Sequence, residues 1–391
     1  MDDVFDIRIE KLVYGGDGLG RRDGQAVFVA RAAPGDLVRV RVTNRRKGFL
    51  KAEIVDVVEP GPGRREAPCP VYGACGGCQL QHVDYATQTA AKAAMVLETL
   101  NRLAGLSLAG PVPIVSEPEH EFGYRIRATA HLARGRDRMF FGFYAEHTNR
   151  IVDVESCMLL VPELDAAWQQ AHAQAALLHR VTTLELAAGD GAVSADPPIA
   201  AVPGAELTVD VDGLSYTYPP GAFFQVNRPL IGRLVRAAVA DLGGTLAVDL
   251  FAGVGLFSLP LARAFERVIG VEASDRAAAA ARANADRNGV HNVTFDGLPV
   301  DEWLADSSSL RGGIDAVLLD PPRAGLGPEA SARLAELAPR DIVYVSCDPS
   351  TLARDLRELV SRGYGIASVE AFDLFPQTYH VETIARLRRD G

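Results

Sequence analysis

The 391-residue chain predicts a multidomain α/β protein in three parts, and three observations carry this. The first sixty residues alternate apolar and polar positions at strand spacing between glycine-containing turns. A cysteine-dense loop follows. Beyond about residue 206, short apolar, β-branched runs alternate with helix-forming segments. These imply an N-terminal OB-like β-barrel over residues 1–59, a central α+β domain over 60–205, and a C-terminal Rossmann-like, doubly wound domain over 206–391. Hydrophobic content of 48% with 23% charged residues is ordinary for a globular chain. The start, Met1-Asp2-Asp3, lacks the apolar run of a signal peptide, and no stretch reaches the ~18 apolar residues of a membrane span. A cytoplasmic protein with reduced thiols and no membrane partner is therefore expected.

In the first part, apolar positions alternate through residues 5–9, 26–30, 37–42 and 52–58, with turns at 15–20 and 34–36. Pro60-Gly61-Pro62-Gly63 marks a linker. The net charge of -10 argues against a broadly basic nucleic-acid binder. Even so, Arg39, Arg41, Arg45, Arg46, Lys47 and Lys51 run without an acid between them. Such a strip suits phosphates, and equally a solvated charged loop.

In the central part, Cys69, Cys75 and Cys78 lie in C-x5-C-x2-C spacing among glycines, and Cys157 follows about eighty residues on. Four thiolates could surround one metal centre. All-thiolate ligation suits an iron–sulfur cluster or structural zinc, and the spacing leaves both open. Residues 85–106 and 162–180 have helical pattern, and 187–205 reads as a loop or linker without chemistry. Arg125, Arg127, Arg134, Arg136 and Arg138 are interleaved with Phe140, Phe141, Phe143 and Tyr144. Guanidinium groups for phosphates and aromatic faces for splayed bases are how single-stranded RNA is held, although aromatics at strand spacing also build ordinary cores.

In the third part, strands over 245–251, 267–271, 293–295, 314–319 and 341–345 alternate with helices over 256–265 and 275–288. This succession predicts a parallel sheet with its site at the carboxyl ends of the strands. The first strand runs into Gly253-Val254-Gly255, and Glu272 ends the second, a placement suited to the ribose of a nucleoside-containing cofactor. Ser258 stands where a dinucleotide fingerprint needs its third glycine. With Asp249 before the turn and Asp320-Pro321-Pro322 after the fourth strand, S-adenosylmethionine fits better. The fifth strand ends in Ser346-Cys347-Asp348-Pro349. A cysteine there suits a reacting group, or a small buried apolar one.

Several motifs together resemble the RNA uracil-C5 methyltransferase family over essentially the whole chain. They are Cys69/Cys75/Cys78/Cys157, Gly221-Ala222-Phe223-Phe224-Gln225-Val226-Asn227, Asp249-Leu250-Phe251-Ala252-Gly253, Asp320-Pro321-Pro322-Arg323-Ala324-Gly325, Ser346-Cys347 and His380-Val381-Glu382-Thr383. Ile9-Glu10-Lys11-Leu12, the glycine turn and Pro34-Gly35-Asp36 resemble the TRAM domain, which makes the bacterial 23S rRNA branch the nearest match. The resemblance implies methyl transfer from S-adenosylmethionine to C5 of a uridine in RNA, with 23S rRNA first and tRNA as the alternative. It also implies that Gln225, Phe251, Glu272 and Asp320 contact S-adenosylmethionine and that Cys69, Cys75, Cys78 and Cys157 hold a [4Fe-4S] cluster. Cys347 would be the nucleophile and Glu382 the general base. A monomer acting on RNA is expected.

Glu382 could instead be a surface ion-pair partner of Arg386. Two departures stand out. Asp348 replaces the family's usual Asn, and a carboxylate aimed at the sulfur would disfavour the thiolate. Leu256 stands where some relatives have a polar residue near the cofactor. Among other readings, an amino-group methyltransferase wants an aromatic where Arg323 stands, and a cytosine-C5 enzyme would share the cysteine. A non-catalytic iron–sulfur RNA-binding protein would leave Cys347 unexplained.

Overall fold

Residues 3–389 are described by a computed structural model. The strands β1 (Val4–Leu12), β2 (Gly18–Arg22), β3 (Gln25–Val29), β4 (Leu37–Arg46) and β5 (Phe49–Glu59) close into a barrel in the order β1-β2-β3-β5-β4. Alternation turns Ile7, Ile9, Val27, Val29, Val38, Val40 and Leu50 inward to its core. β2 occupies the second half of the expected turn at 15–20. Its glycines hid it: a Cβ on Gly20 would stand 2.6 Å from the Arg8 carbonyl, so close approach of β1 requires glycine in a strand. The basic strip along β4 is largely matched within the barrel, by Asp6 on Arg39 at 2.8 Å, Glu53 on Arg41 at 3.1 Å and Asp3 on Arg45.

Helix α1 (Tyr85–Ala104) starts at Asp84, whose side chain accepts from the Thr87 N–H, and stops at Gly105 in the left-handed region. Its inner face, with Val96, Leu100 and Ala104, joins the core of the C-terminal sheet. The short strand β6 (Ile114–Val115) joins that sheet too. The stretch from 85 to 115, placed by sequence in the central part, thus packs with the C-terminal one.

The strands β7 (Arg127–Arg134), β8 (Met139–Tyr144), β9 (Ile151–Asp153), β10 (Thr183–Ala188) and β11 (Val193–Asp196) form an antiparallel sheet in the order β11-β10-β7-β8-β9. Helix α2 (Pro162–Ala173) buries Leu164 and Trp168 in the core this sheet shares. Part of the expected linker at 187–205 is therefore sheet, its strand pattern masked by short runs between Gly and Pro. Phe141 and Phe143 pack on Trp168, with ring centroids 4.8 and 4.7 Å away, so these two aromatics are structural. Tyr144 lies stacked on His131 at 3.9 Å.

A hairpin of β12 (Leu207–Val211) and β13 (Leu214–Tyr218) leads to α3 (Arg228–Val239). Then follow β14 (Gly244–Leu250), α4 (Ser258–Leu261), β15 (Phe265–Val271), α5 (Asp275–Arg287), β16 (Val293–Asp296), α6 (Val300–Asp306) and β17 (Ala316–Leu319). The chain ends with α7 (Pro328–Leu337), β18 (Asp341–Ser346), α8 (Pro349–Ser361), β19 (Tyr364–Phe372) and β20 (Glu382–Arg389). The sheet order is β16-β15-β14-β17-β18-β20-β19-β6. Strands β14 to β18 are parallel as expected, whereas β20 is antiparallel to both β18 and β19. The helix expected over 256–265 shrinks to α4, because Phe265 already pairs with Gly244 at the start of β15. Among the described residues no helix is long and apolar enough to cross a membrane.

Candidate active site

The carboxyl ends of the parallel strands bring Phe251, Glu272, Asp320 and Cys347 to one rim. Gln225 arrives from the segment before α3. Glu382 comes from the opposite direction, as the first residue of antiparallel β20. Ser346 pairs with Thr383, so the next residues outward, Cys347 and Glu382, stand together at the rim. All six line one cavity of about 590 Å³. This geometry removes Glu382 from the surface, where it is only 3% exposed, and its place on a strand leaves no helical pairing with Arg386. Arg386 instead donates to the carbonyls of Ala237 and Ala238.

The backbone around the first turn is shaped for close approach. Phe251 has φ of 63° and Gly253 of 55°. A left-handed conformation at a bulky residue is a rare and strained choice, held here between β14 and the turn. A Cβ on Gly253 would meet open space, so the backbone itself faces the cavity. Glu272 is pinned by two backbone donors, Gly253 N–H at 2.9 Å and Ser274 N–H at 2.7 Å. Asp249 is buried behind the turn, where it accepts from the Ser258 hydroxyl. Position 258 thus serves the carboxylate. Leu256 belongs to the hydrophobic core and does not line the cavity.

The acids are crowded and dry. Burial pushes Asp249 and Asp320 up to about 7, each opposed by a hydrogen bond, from Ser258 and from Gln225 Nε2 at 3.1 Å. Burial, then the nearby Asp320 charge, raises Glu382 well above the ordinary carboxylate range. Burial likewise pushes the Cys347 thiol up to about 12, with Glu382 and Asp320 adding to it and Arg323 opposing.

Asp348 adds a smaller upward push on the Cys347 thiol, behind burial, Glu382 and Asp320, while its oxygens are engaged elsewhere. It caps α8, accepting from the Ser350 N–H at 2.8 Å and the Thr351 N–H at 3.2 Å, and its second oxygen accepts from the Tyr14 hydroxyl at 3.2 Å. The barrel therefore reaches the strand end that carries the cysteine. Arg125, read from sequence as a phosphate-holding group, lines the cavity wall, and sequence reasoning assigned no role to Arg323, Phe375 or His380 there. His380, pushed down to about 4 by burial and then by Arg323, is neutral and accepts from the Arg323 guanidinium at 3.3 Å. The motifs that contain Arg323 and His380 were the available signal.

Cys69, Cys75, Cys78 and Cys157 line a second cavity of about 330 Å³, which shares Arg125, Arg323, Phe375 and His380 with the first. Burial raises Cys78 to about 12 and Cys157 to about 11. Among the described residues, no three His, Cys, Asp or Glu side chains stand close enough to hold a metal ion. A third, open cleft of about 1010 Å³ lies between the barrel and the turn at 144–149, lined by Tyr14, Arg31, Lys51, Tyr144 and His147. His380 borders all three spaces.

Comparison with known proteins agrees with this layout. A TRAM domain model matches residues 3–55, and a tRNA (Uracil-5-)-methyltransferase model matches residues 204–390. The chain is 36% identical over 422 residues to the 23S rRNA (uracil(1939)-C(5))-methyltransferase RlmD of Pseudomonas aeruginosa, covering 97% of this chain and 93% of the relative. It is 34% identical to an uncharacterized RNA methyltransferase of Gloeobacter violaceus, covering 98% and 96%. The crystal structure of the Pyrococcus abyssi tRNA (uracil-54, C5)-methyltransferase in complex with S-adenosyl-L-homocysteine superposes with a TM-score of 0.74 at 27% identity, covering 98% of this chain and all of that one. By its sequence relatives and the fold they share, this chain belongs to the RNA (uracil-C5) methyltransferase family.

Proposed function

We propose that the protein transfers a methyl group from S-adenosylmethionine to C5 of a uridine in 23S rRNA. The observation that carries this is the convergence of Cys347, Glu382, Asp320, Gln225, Phe251 and Glu272 on one cavity. Glu272, held by two backbone amides, is oriented to accept from ribose hydroxyls. Phe251 and the bare Gly253 backbone form the adjoining wall, and Gln225 with Asp320 completes it. S-adenosylmethionine supplies an electrophilic methyl group on a sulfonium. A positive charge in this acidic cavity lowers the Cys347, Asp320 and Glu382 pKa values together, so sulfonium and site suit each other.

Cys347 Sγ, as thiolate, bonds to uracil C6 and moves the ring electrons into an enolate. C5 then takes the methyl group as the methyl–sulfur bond of the sulfonium breaks, leaving S-adenosylhomocysteine. Glu382 removes the C5 proton, the C6–S bond breaks, and the 5,6 double bond returns as the thiolate leaves. RNA entering along the cleft beside the barrel would reach this cavity past His380. The four cysteines line one cavity of about 330 Å³. A zinc ion would need all four sulfurs within about 2.3 Å of it, whereas an iron–sulfur cluster fills a cavity. We assign them a [4Fe-4S] cluster, in a structural or RNA-positioning role, since the reaction transfers no net electrons.

Cys347→Ala should abolish turnover and the covalent RNA adduct; full activity in that variant refutes the assignment. Mass-spectrometric mapping of 5-methyluridine in cells lacking the protein should show loss from 23S rRNA, and loss from tRNA alone would replace that substrate. Purified protein should contain iron and acid-labile sulfide that Cys78→Ser lowers. Zinc in their place would overturn the cluster.

A further inference from the structure

We propose that Gln377 is a positioning residue for the catalytic base, holding the strap between β19 and β20 in register with the cysteine loop. This rests on the reaction just described. The strap, residues 373–381, carries Phe375 and His380 to the cavity wall and runs directly into Glu382. Glu382 Oε1 is buried and has no hydrogen-bond partner among the described residues. Its carboxyl is therefore placed by the backbone it hangs from, and the strap delivers that backbone.

Gln377 is the strap's most heavily bonded residue. It is fully buried with φ of 70°, a strained conformation for a non-glycine that persists only where surroundings enforce it. Its carbonyl accepts from the N–H groups of Gln79 at 3.0 Å and Leu80 at 2.9 Å, the two residues after Cys78. Its own N–H donates to Gln88 Oε1 at 3.1 Å. Its side-chain oxygen accepts from Gln88 Nε2 at 3.0 Å and Arg65 at 3.2 Å, and its amide nitrogen donates to Glu121 Oε2 at 3.0 Å. One glutamine thus ties the cysteine loop, α1 and the segment before β7 to the strap. Neighbouring strap residues are held by single side chains: Tyr124 donates to the Pro376 carbonyl at 3.0 Å, and Asn227 to the Leu374 carbonyl at 3.1 Å. Loss of the Gln377 amide removes the ties to Arg65, Gln88 Nε2 and Glu121 and leaves the backbone bonds to Gln79, Leu80 and Gln88 Oε1, so the strap loosens at its centre, between these anchors and the base.

A displaced base slows proton removal from C5 after methyl transfer, the one step that releases the thiol. A shift of about 1 Å costs on the order of 10²-fold in such a step. Gln377→Ala should therefore accumulate the covalent enzyme–RNA adduct, as Glu382→Gln is expected to, with unchanged affinity for S-adenosylmethionine. Gln377→Asn keeps a side chain that tolerates the left-handed backbone but is too short to reach Arg65, Gln88 and Glu121 together. It carries the test if the alanine variant does not fold, and should give the same adduct. Folded Gln377 variants that turn over without adduct, while Glu382→Gln traps it, overturn the positioning role and leave the reaction standing. Absence of adduct in Glu382→Gln as well refutes the reaction, and this inference with it.

Discussion

Lys92 and Asp373 are both fully excluded from solvent, with Nζ 2.6 Å from Asp373 Oδ1 and 3.0 Å from the Phe375 carbonyl. Burial pushes Lys92 down, and the Asp373 contact opposes it. Beside the Asp373 carboxylate stands the neutral Tyr85 hydroxyl, so Lys92→Met would strip the carboxylate of its ammonium and leave it buried. Breaking a buried pair on one side costs about 3–5 kcal/mol, and the orphaned Phe375 carbonyl adds about 1–3 kcal/mol. Adding Asp373→Leu removes the uncompensated charge, so the double variant should recover most of the loss and retain only the carbonyl's share. Urea unfolding followed by Trp303 fluorescence, in a Trp168→Phe background, reads the core beside this pair. Circular dichroism must give a coincident transition for the free energies to be meaningful. A single variant that loses less than about 1 kcal/mol, or a double variant as unstable as the single, refutes the view that the pair is held by mutual neutralisation.

Asp249 and Asp320 stand at about 7 against ordinary values of 3.8, so the folded chain holds extra protons across that interval and loses stability as pH rises through it. Thermal melts of the cofactor-free protein should fall from about pH 4 to about pH 7 on that account, and Asp320→Asn should flatten part of the slope. Ionisation of Asp320 also predicts that preference for S-adenosylmethionine over S-adenosylhomocysteine, whose sulfur carries no charge, grows as pH passes about 7, measured by calorimetry; a pH-independent preference refutes it. Asp348→Ala should destabilise by about 1 kcal/mol through loss of the α8 cap, while Asp348→Asn, which caps equally well, should keep turnover and melting temperature near those of the parent. Gly142→Ala would set a Cβ 2.0 Å from the Val152 carbonyl and should lower stability by about 3 kcal/mol in chemical denaturation.

The parallel strands, their order of appearance and the residues at their ends were legible because period, turn glycines and strand-end acids are local signals. The cysteine loop was legible for the same reason. Strand β2 was not, since Gly18 and Gly20 read as turn until the close approach of Arg8 and Ala32 explains them. Asp348 could be judged only in three dimensions: its charge does raise the Cys347 thiol, but behind burial, Glu382 and Asp320, because its oxygens are engaged by helix amides and Tyr14. Phe141 and Phe143 looked like base-stacking candidates until Trp168 covered them. Gln377 and Lys92 carry no pattern at all, because their partners lie hundreds of residues away along the chain.

The pairing of β6 with β19 and the packing of α1 against the C-terminal core have a consequence for synthesis. The apolar face of α1, with Val96 and Leu100, is made early, yet its partner α8 emerges only near the end of translation. At ordinary elongation speeds that interval lasts roughly 10–50 s. Nascent chains carry an unpaired sticky helix for that time, and the free flank of β19 is closed only by a two-residue strand fetched from the N-terminal half. A C-terminal fragment cut at residue 206 would lack both covers, and should associate with itself more strongly than the full chain.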